Sequence, residues 1–104
     1  MKAADWIEHL NLRRHPEGGY YREIFRTGKM VDGNKPAMTS IYYLLENNEI
    51  SAFHRLSSPE VWYYHAGYPL MLYVIHPDGR LVTHLMNTDI SGEQQVAIEP
   101  GCWF

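Results

Sequence analysis

The sequence predicts an all-β fold, an antiparallel sandwich or barrel, with one N-terminal helix. Eight tyrosines, three tryptophans and three phenylalanines lie mostly in short runs, and aromatic residues favour strands. Seven such runs are separated by Gly, Pro, Asn and Asp residues that mark turns. Only one segment has the apolar spacing of an amphipathic helix, which argues against a helix bundle or a parallel sheet.

The elements follow in order along the chain. The helix is predicted over residues 3–12, where Trp6, Ile7 and Leu10 form a narrow apolar stripe. Residues 27–37 predict a loop, and Pro77-Asp78-Gly79 predicts a tight turn between two strands. The strand over 38–45 is apolar on both faces, so we expect it to be buried on both sides. The strands are predicted over 20–26, 38–45, 50–56, 60–64, 70–76, 80–86 and 94–99.

Length, charge and cysteine content limit the class of protein. A chain of 104 residues predicts a single domain over 1–104. The formal charge of −3 provides no basic field for nucleic acid or an anionic membrane, and no apolar run is long enough to span a bilayer. Because the N-terminus lacks a signal-peptide core and Cys102 is the only cysteine, we expect a cytoplasmic protein without an internal disulfide.

Residues 52–67 carry the main candidate site. Side chains alternate between the faces of a strand, so Glu60, Trp62 and Tyr64 share one face, and His54 lies on one face of the preceding strand. We expect the two strands to pair as a hairpin around Ser57-Ser58-Pro59. The imidazole, the carboxylate and two aromatic rings would then converge. Histidine exchanges protons near neutral pH and a carboxylate can orient it, so His54 and Glu60 form a candidate acid–base pair.

Further candidate ligand-binding residues lie outside this stretch. Glu17 belongs to the turn 15–19, which contains two adjacent glycines, and is either a solvated turn residue or part of a pocket mouth. Tyr21, Tyr42 and Trp103 could line a pocket with Trp62, because aromatic rings stack on ligands; the alternative for each is core packing. The other histidines are expected to have no special role, and Cys102 has no histidine beside it in sequence, so we expect no nucleophilic function.

Several motifs together resemble the cupin superfamily, and in particular a small, largely uncharacterised cupin family. His54, Glu60 and Gly67 have the spacing of the first cupin metal motif, but Leu56 occupies the place of its second histidine. The segment HPEGGYYRE at 15–23 resembles the signature of the small family. Matching pieces continue through SIYYLL at 40–45, EVWYYHAG at 60–67 and PGCW at 100–103, and so cover nearly the whole chain.

The resemblance implies a jelly-roll barrel and a set of site residues. In cupins, three histidines and one glutamate bind a divalent transition metal. Here the resemblance assigns only His54 and Glu60 as metal ligands, and the last metal-binding histidine would lie on a strand beyond Phe104. We therefore expect a jelly roll that lacks its last strands or is completed by a partner subunit. Some cupin sugar epimerases instead use a histidine base and a tyrosine acid without a metal, and Tyr64, Tyr21 and Tyr42 are the candidates for that acid.

Three hypotheses for function follow. The first is an isomerase- or epimerase-like enzyme that acts on a sugar or similar polar metabolite, with His54, Glu60 and Tyr64 as catalytic residues. The second is a non-catalytic module that binds a metabolite through the same residues. The third is a metal-dependent cupin oxygenase or isomerase. We also expect a homodimer, because the apolar strands outnumber what one short barrel can bury and an open edge strand tends to recruit another chain.

Overall fold

The computed structural model describes residues 1–31 and 33–104. The chain divides into two compact units, Met1–Ala52 and Phe53–Phe104, and each is described by itself. The single domain over 1–104 stays a prediction. Within the described residues, no helix is both long enough and apolar enough to cross a membrane.

The helix α1, Ala3–Leu10, opens the first unit. The Asp5 carboxylate accepts the backbone N–H of Lys2 at 2.9 Å and so caps the first turn. Asn11, with φ 53°, takes the left-handed conformation that ends a helix. The predicted apolar stripe of Trp6, Ile7 and Leu10 is half-buried, while most of the other helix residues are exposed. The helix prediction is therefore confirmed, and the helix ends two residues earlier than expected.

The first unit contains a three-stranded antiparallel sheet of β1 (Arg13–Arg14), β2 (Tyr20–Arg26) and β5 (Thr39–Leu44), in the order β1-β2-β5. The bounds of β2 agree with the prediction. The predicted loop 27–37 also contains a short antiparallel pair, β3 (Met30–Val31) and β4 (Lys35–Pro36). Asp32, part of the loop prediction, lies outside the described residues.

The two adjacent glycines form the turn between β1 and β2. Gly18 and Gly19 have φ of 108° and 81°, values that side-chain-bearing residues rarely adopt. His15 donates its backbone N–H to the Gly19 carbonyl at 2.8 Å, and Gly18 donates to the His15 carbonyl at 3.1 Å. The turn predicted at 15–19 is confirmed.

The second unit contains two antiparallel strand pairs. β7 (Leu70–Ile75) pairs with β8 (Leu81–Met86), and the turn between them is closed by an N–H···O bond of 2.9 Å from His76 to Arg80. This hairpin is the predicted one. β6 (Glu60–Tyr63) pairs with β9 (Gln95–Ile98), which the sequence pattern did not predict.

The expected hairpin between residues 50–56 and 60–64 is wrong. Residues 50–56 form no strand beyond a single bridge at Arg55, and β6 takes its partner from β9. His54 instead exchanges two backbone hydrogen bonds of 3.0 Å with Phe104. The first segment of the candidate site therefore pairs with the end of the described chain, and not with the segment that follows it.

The buried residues of the second unit form one hydrophobic core. Met86 and Cys102 are each 1% exposed, and the other buried members of this core are Leu72, Val74, Val96, Ile98 and Phe104. Trp62 and Tyr64 pack against it. In the first unit, the expectation that β5 is buried on both faces is wrong, because Ile41 is 45% exposed and Tyr42 is 38% exposed.

Candidate functional site

One side of β6 provides the best-defined part of the candidate site. Glu60, Trp62 and Tyr64 are half-buried, whereas Val61 and Tyr63 between them are 42% and 61% exposed. This alternation is the one that the sequence predicted for these three side chains. The Trp62 indole N–H donates to the Glu60 carboxylate, with Nε1 2.6 Å from Oε2. The bond fixes the carboxylate beside an aromatic ring.

Phe104 connects this face with the candidate histidine. The ring centroids of Phe104 and His54 are 4.3 Å apart, and those of Phe104 and Trp62 are 6.5 Å apart in an edge-on arrangement. Phe104 is itself 6% exposed and belongs to the core. His54 is half-buried and so retains a solvent-accessible part. The imidazole and the Glu60–Trp62 pair therefore lie around one buried ring, within the same compact unit.

Tyr64 contributes a hydroxyl group next to this face. Its O–H donates to the Tyr68 carbonyl oxygen at 2.7 Å. Burial raises the pKa of the Tyr64 phenol, because desolvation disfavours the phenolate. A phenol is protonated at neutral pH even without this shift, and the one proton of the Tyr64 hydroxyl is donated to the Tyr68 carbonyl oxygen.

Trp103 lies on a different face. Along the last three residues, Cys102 and Phe104 are buried and Trp103 is 43% exposed. The Arg55 guanidinium sits over the Trp103 ring, 5.2 Å from its centroid. The structure therefore does not bring Trp103 to the ring of Phe104, and its role in ligand binding stays a prediction.

Two of the three predicted ligand-binding residues of the first unit, Glu17 and Tyr21, contact His15. The backbone N–H of Glu17 donates to His15 Nδ1 at 2.9 Å, so this nitrogen acts as an acceptor. The rings of Tyr21 and Tyr43 meet His15 edge-on, with centroids 4.8 and 5.1 Å away. Tyr42 pairs in register with Arg22, so it projects from the other face of the sheet. Glu17 and Tyr21 are thus brought together, and Tyr42 is not.

The donor atoms that the structure describes near His54 and Glu60 are too few for a transition metal. A firmly held ion usually has three or more protein ligands. Within residues 1–31 and 33–104, no three His, Cys, Asp or Glu side chains form a group that could hold a metal. Leu56 provides no donor atom, and one oxygen of Glu60 already accepts the Trp62 indole N–H. His54 and Glu60 alone therefore do not fit a firmly bound metal ion.

Two contacts involve histidines for which no role was expected. His76 lies with Nδ1 3.6 Å from the Cys102 sulfur, so the cysteine does have a histidine beside it in space. Since Cys102 is 1% exposed, a substrate has no direct access to its thiol. His84 Nδ1 lies 2.7 Å from Oε2 of Glu93, within hydrogen-bond distance. The His54–Phe104 contact also had no signal in the sequence, because it depends on a pairing between distant segments.

Comparisons with known proteins identify the family. The profile described as "Cupin superfamily (DUF985)" matches residues 4–104. A crystal structure of a protein from Shewanella oneidensis is 39% identical with a TM-score of 0.92, and a hypothetical protein from Leishmania major is 34% identical with the same TM-score. The two alignments cover 99% of this chain but only 66% and 68% of those chains. No curated protein matches the sequence. The chain belongs to this family of the cupin superfamily, and the predicted cupin fold is confirmed.

Proposed function

We propose that this cupin is an isomerase- or epimerase-like enzyme that acts on a sugar or similar polar metabolite, with His54 and Glu60 as its proton-transfer groups. Membership of the cupin superfamily supports a small-molecule ligand. The observation that supports the finer proposal is the half-buried face of β6, where the Glu60 carboxylate is fixed by Trp62 and both Trp62 and His54 meet the ring of Phe104.

The chemistry needs only groups that these residues supply. A base removes a proton from the carbon next to a carbonyl group, and an acid returns a proton either to the other face of that carbon or to its neighbour. No oxidant or co-reactant is consumed. The Glu60 oxygen that does not accept the Trp62 N–H and the His54 imidazole are the two exchanging groups. Tyr64 can serve as a donor to a substrate oxygen when its hydroxyl exchanges the hydrogen bond to the Tyr68 carbonyl oxygen for one to the substrate.

Aromatic rings support a sugar or a similarly shaped ligand. Trp62 and Tyr64 are half-buried, so each offers part of a ring to solvent. The apolar C–H face of a sugar packs on such a ring, while its hydroxyls reach carboxylate and imidazole groups. Glu17, Tyr21 and Tyr42 stay predictions as ligand-binding residues, tested by the affinity of single variants. A metal-dependent reaction has less support, because His54 and Glu60 supply only two donors.

Incorporation of solvent deuterium tests the proposal. A panel of aldoses, ketoses and uronic acids is incubated with the protein in deuterium oxide, and exchange at carbon-bound positions is followed by proton NMR. For a substrate, His54→Gln and Glu60→Gln should each lower the exchange rate by about 100- to 10,000-fold. Ligand affinity should remain within about tenfold. The amide oxygen that Glu60→Gln introduces can still accept the Trp62 N–H, so the variant preserves that contact.

The control is His65→Gln. His65 is exposed and lies next to the same strand, so its substitution should leave the exchange rate unchanged. Saturable binding without deuterium exchange in any member of the panel would contradict catalysis and support a non-catalytic metabolite-binding module. Equal losses of rate in His65→Gln and His54→Gln would contradict the assignment of the site.

A homodimer through the outer face of β7 and β8 is also proposed. Met71 lies opposite Leu85 in register, and these residues are 45% and 37% exposed. On the same face, Tyr73 is 48% and Leu81 is 56% exposed, and a second copy would cover this apolar surface. Light scattering should give a dimer mass, and Tyr73→Glu should give a monomer. A monomeric wild-type protein at micromolar concentration would contradict the proposal.

A further inference from the structure

A cleft in the unit Met1–Ala52 has an unusual concentration of arginine. It has a volume of about 450 Å³ and is lined by Arg13, Tyr21, Arg22, Glu23 and Arg26. The whole chain contains only six arginines, so half of them surround this one cleft. The formal charge of the protein is −3, and a basic surface of this kind is therefore not a consequence of its overall composition.

The sheet explains why the cleft is open. β1 pairs with β2 only through Arg13 with Tyr21 and Arg14 with Tyr20. β2 continues to Arg26 on its other side against β5. Beyond Tyr21, the edge of β2 that faces β1 has no strand partner among the described residues. Arg13 and Arg22 alternate to opposite faces of the sheet, and the lining of the cleft includes both, so the cleft lies at the open edge of β2 next to the end of β1.

The charges in the cleft are only partly compensated. Arg26 forms a two-pronged ion pair with Glu23, at 2.8 and 3.2 Å. Arg22 donates to the Leu10 carbonyl oxygen at 3.2 Å, a bond that orients the guanidinium but contributes no full negative charge. The Arg13 side chain has no hydrogen bond or ion pair with any residue that the structure describes. Two positive charges, those of Arg13 and Arg22, therefore remain without a counter-ion from the lining residues.

Tyr21 provides the remaining wall of the cleft. Tyr21 is half-buried, and its ring is held edge-on by His15 at 4.8 Å between centroids. Its hydroxyl can donate a hydrogen bond to an anionic oxygen. Guanidinium groups present paired N–H donors that match the oxygens of carboxylate and phosphate groups.

From this arrangement we infer that the cleft binds a small dianionic oxyanion, a phosphate group or a dicarboxylate, through Arg13 and Arg22. The Tyr21 hydroxyl completes the set of donors. Glu23 neutralises Arg26 and so limits the ligand charge that the cleft can balance to about two. The inference does not depend on the proposed reaction of His54 and Glu60, and it concerns residues to which no reaction step has been assigned.

Isothermal titration calorimetry with inorganic phosphate and, separately, with succinate tests the inference on the full chain. Wild-type protein should bind at least one of the two at millimolar concentration or below, with affinity that decreases as salt increases. Arg13→Gln should weaken binding by about tenfold or more, since a charge-assisted hydrogen bond is lost. Arg80→Gln removes the same charge at an exposed residue of the β7–β8 hairpin and should leave the affinity unchanged.

The outcomes separate the sources of the anion. Binding of phosphate alone supports a phosphate-bearing ligand, and binding of succinate alone supports a dicarboxylate. If Arg13→Gln does not fold, as judged by circular dichroism, Arg22→Lys provides the second test, because lysine retains the charge but loses the planar fork and should still weaken binding. Absence of binding to both probes, or equal weakening in Arg13→Gln and Arg80→Gln, would overturn the inference.

Discussion

Replacing Gly18 by alanine tests the turn on which the first unit depends. Gly18 has φ of +108°, and a Cβ atom built on it would lie 2.3 Å from the backbone oxygen of Ile50. The left-handed conformation costs an L-residue roughly 1–2 kcal/mol, and forcing atoms into packed space costs typically 1–3 kcal/mol more. The clash involves backbone, so no flexible side chain can move aside. We expect Gly18→Ala to lower the free energy of unfolding by roughly 2–5 kcal/mol.

Alanine substitutions at two other glycines separate the cost of the backbone conformation from the cost of the clash. Gly79 has φ of +88° with nothing within 4 Å of the added Cβ, so Gly79→Ala should cost only the conformational term of roughly 1–2 kcal/mol. Gly28 has no positive φ and equally open surroundings, so Gly28→Ala should be neutral or stabilise by up to about 1 kcal/mol. Urea unfolding, followed by circular dichroism, measures all three variants. A Gly18→Ala protein no less stable than Gly79→Ala would refute the reasoning from the Ile50 contact.

Three further predictions concern packing and pH. Met86 is 1% exposed, so Met86→Ala should cost about 2–5 kcal/mol in urea unfolding, whereas Met38→Ala, at a residue 54% exposed, should change stability by less than about 0.5 kcal/mol. Phe104→Ala should cost about 3–5 kcal/mol in urea unfolding. It should also shift the NMR signals of the His54 imidazole, because the rings of Phe104 and His54 are in contact, and unchanged signals would disprove that contact in solution. The pKa of Glu49 is lowered from 4.5, first by the backbone N–H of Glu46 and then by its Arg14 partner. The stability that the Glu49 carboxylate contributes is therefore present above pH 4.5 and is lost as the pH falls through the lowered pKa. Glu49→Gln should therefore reduce the loss of stability measured between about pH 7 and about pH 3. A loss equal to that of the wild-type protein would contradict this assignment.

Local patterns in the sequence predicted the elements that depend on neighbouring residues. The bounds of β2 follow from alternating side chains between a Gly-Gly turn and a glycine-containing loop. The hairpin of β7 and β8 follows from Asp78-Gly79, which fits a tight turn with φ of 88° at Gly79. The shared face of Glu60, Trp62 and Tyr64 was also correct, because alternation depends only on the strand itself.

Pairings between distant segments were not predictable in this way. β6 pairs with β9, some 35 residues away, and a local turn signal at Ser57-Ser58-Pro59 favoured the wrong partner. The two residues of β1 are too few to show any periodicity. The contacts of His54 with Phe104 and of His76 with Cys102 had no signal in the sequence, because each joins segments that are far apart along the chain.

The central claim is that a small polar ligand binds at the half-buried face of β6, and the indole signal of Trp62 measures this most directly. The three tryptophans give three indole N–H signals in a nitrogen–proton correlation spectrum, and Trp62→Phe assigns the relevant one. Titration with monosaccharides and uronic acids should shift the Trp62 signal saturably, because its N–H bonds to Glu60, and should leave that of Trp6 in place. A ligand that binds by calorimetry and shifts other signals but leaves that of Trp62 unmoved would contradict the account.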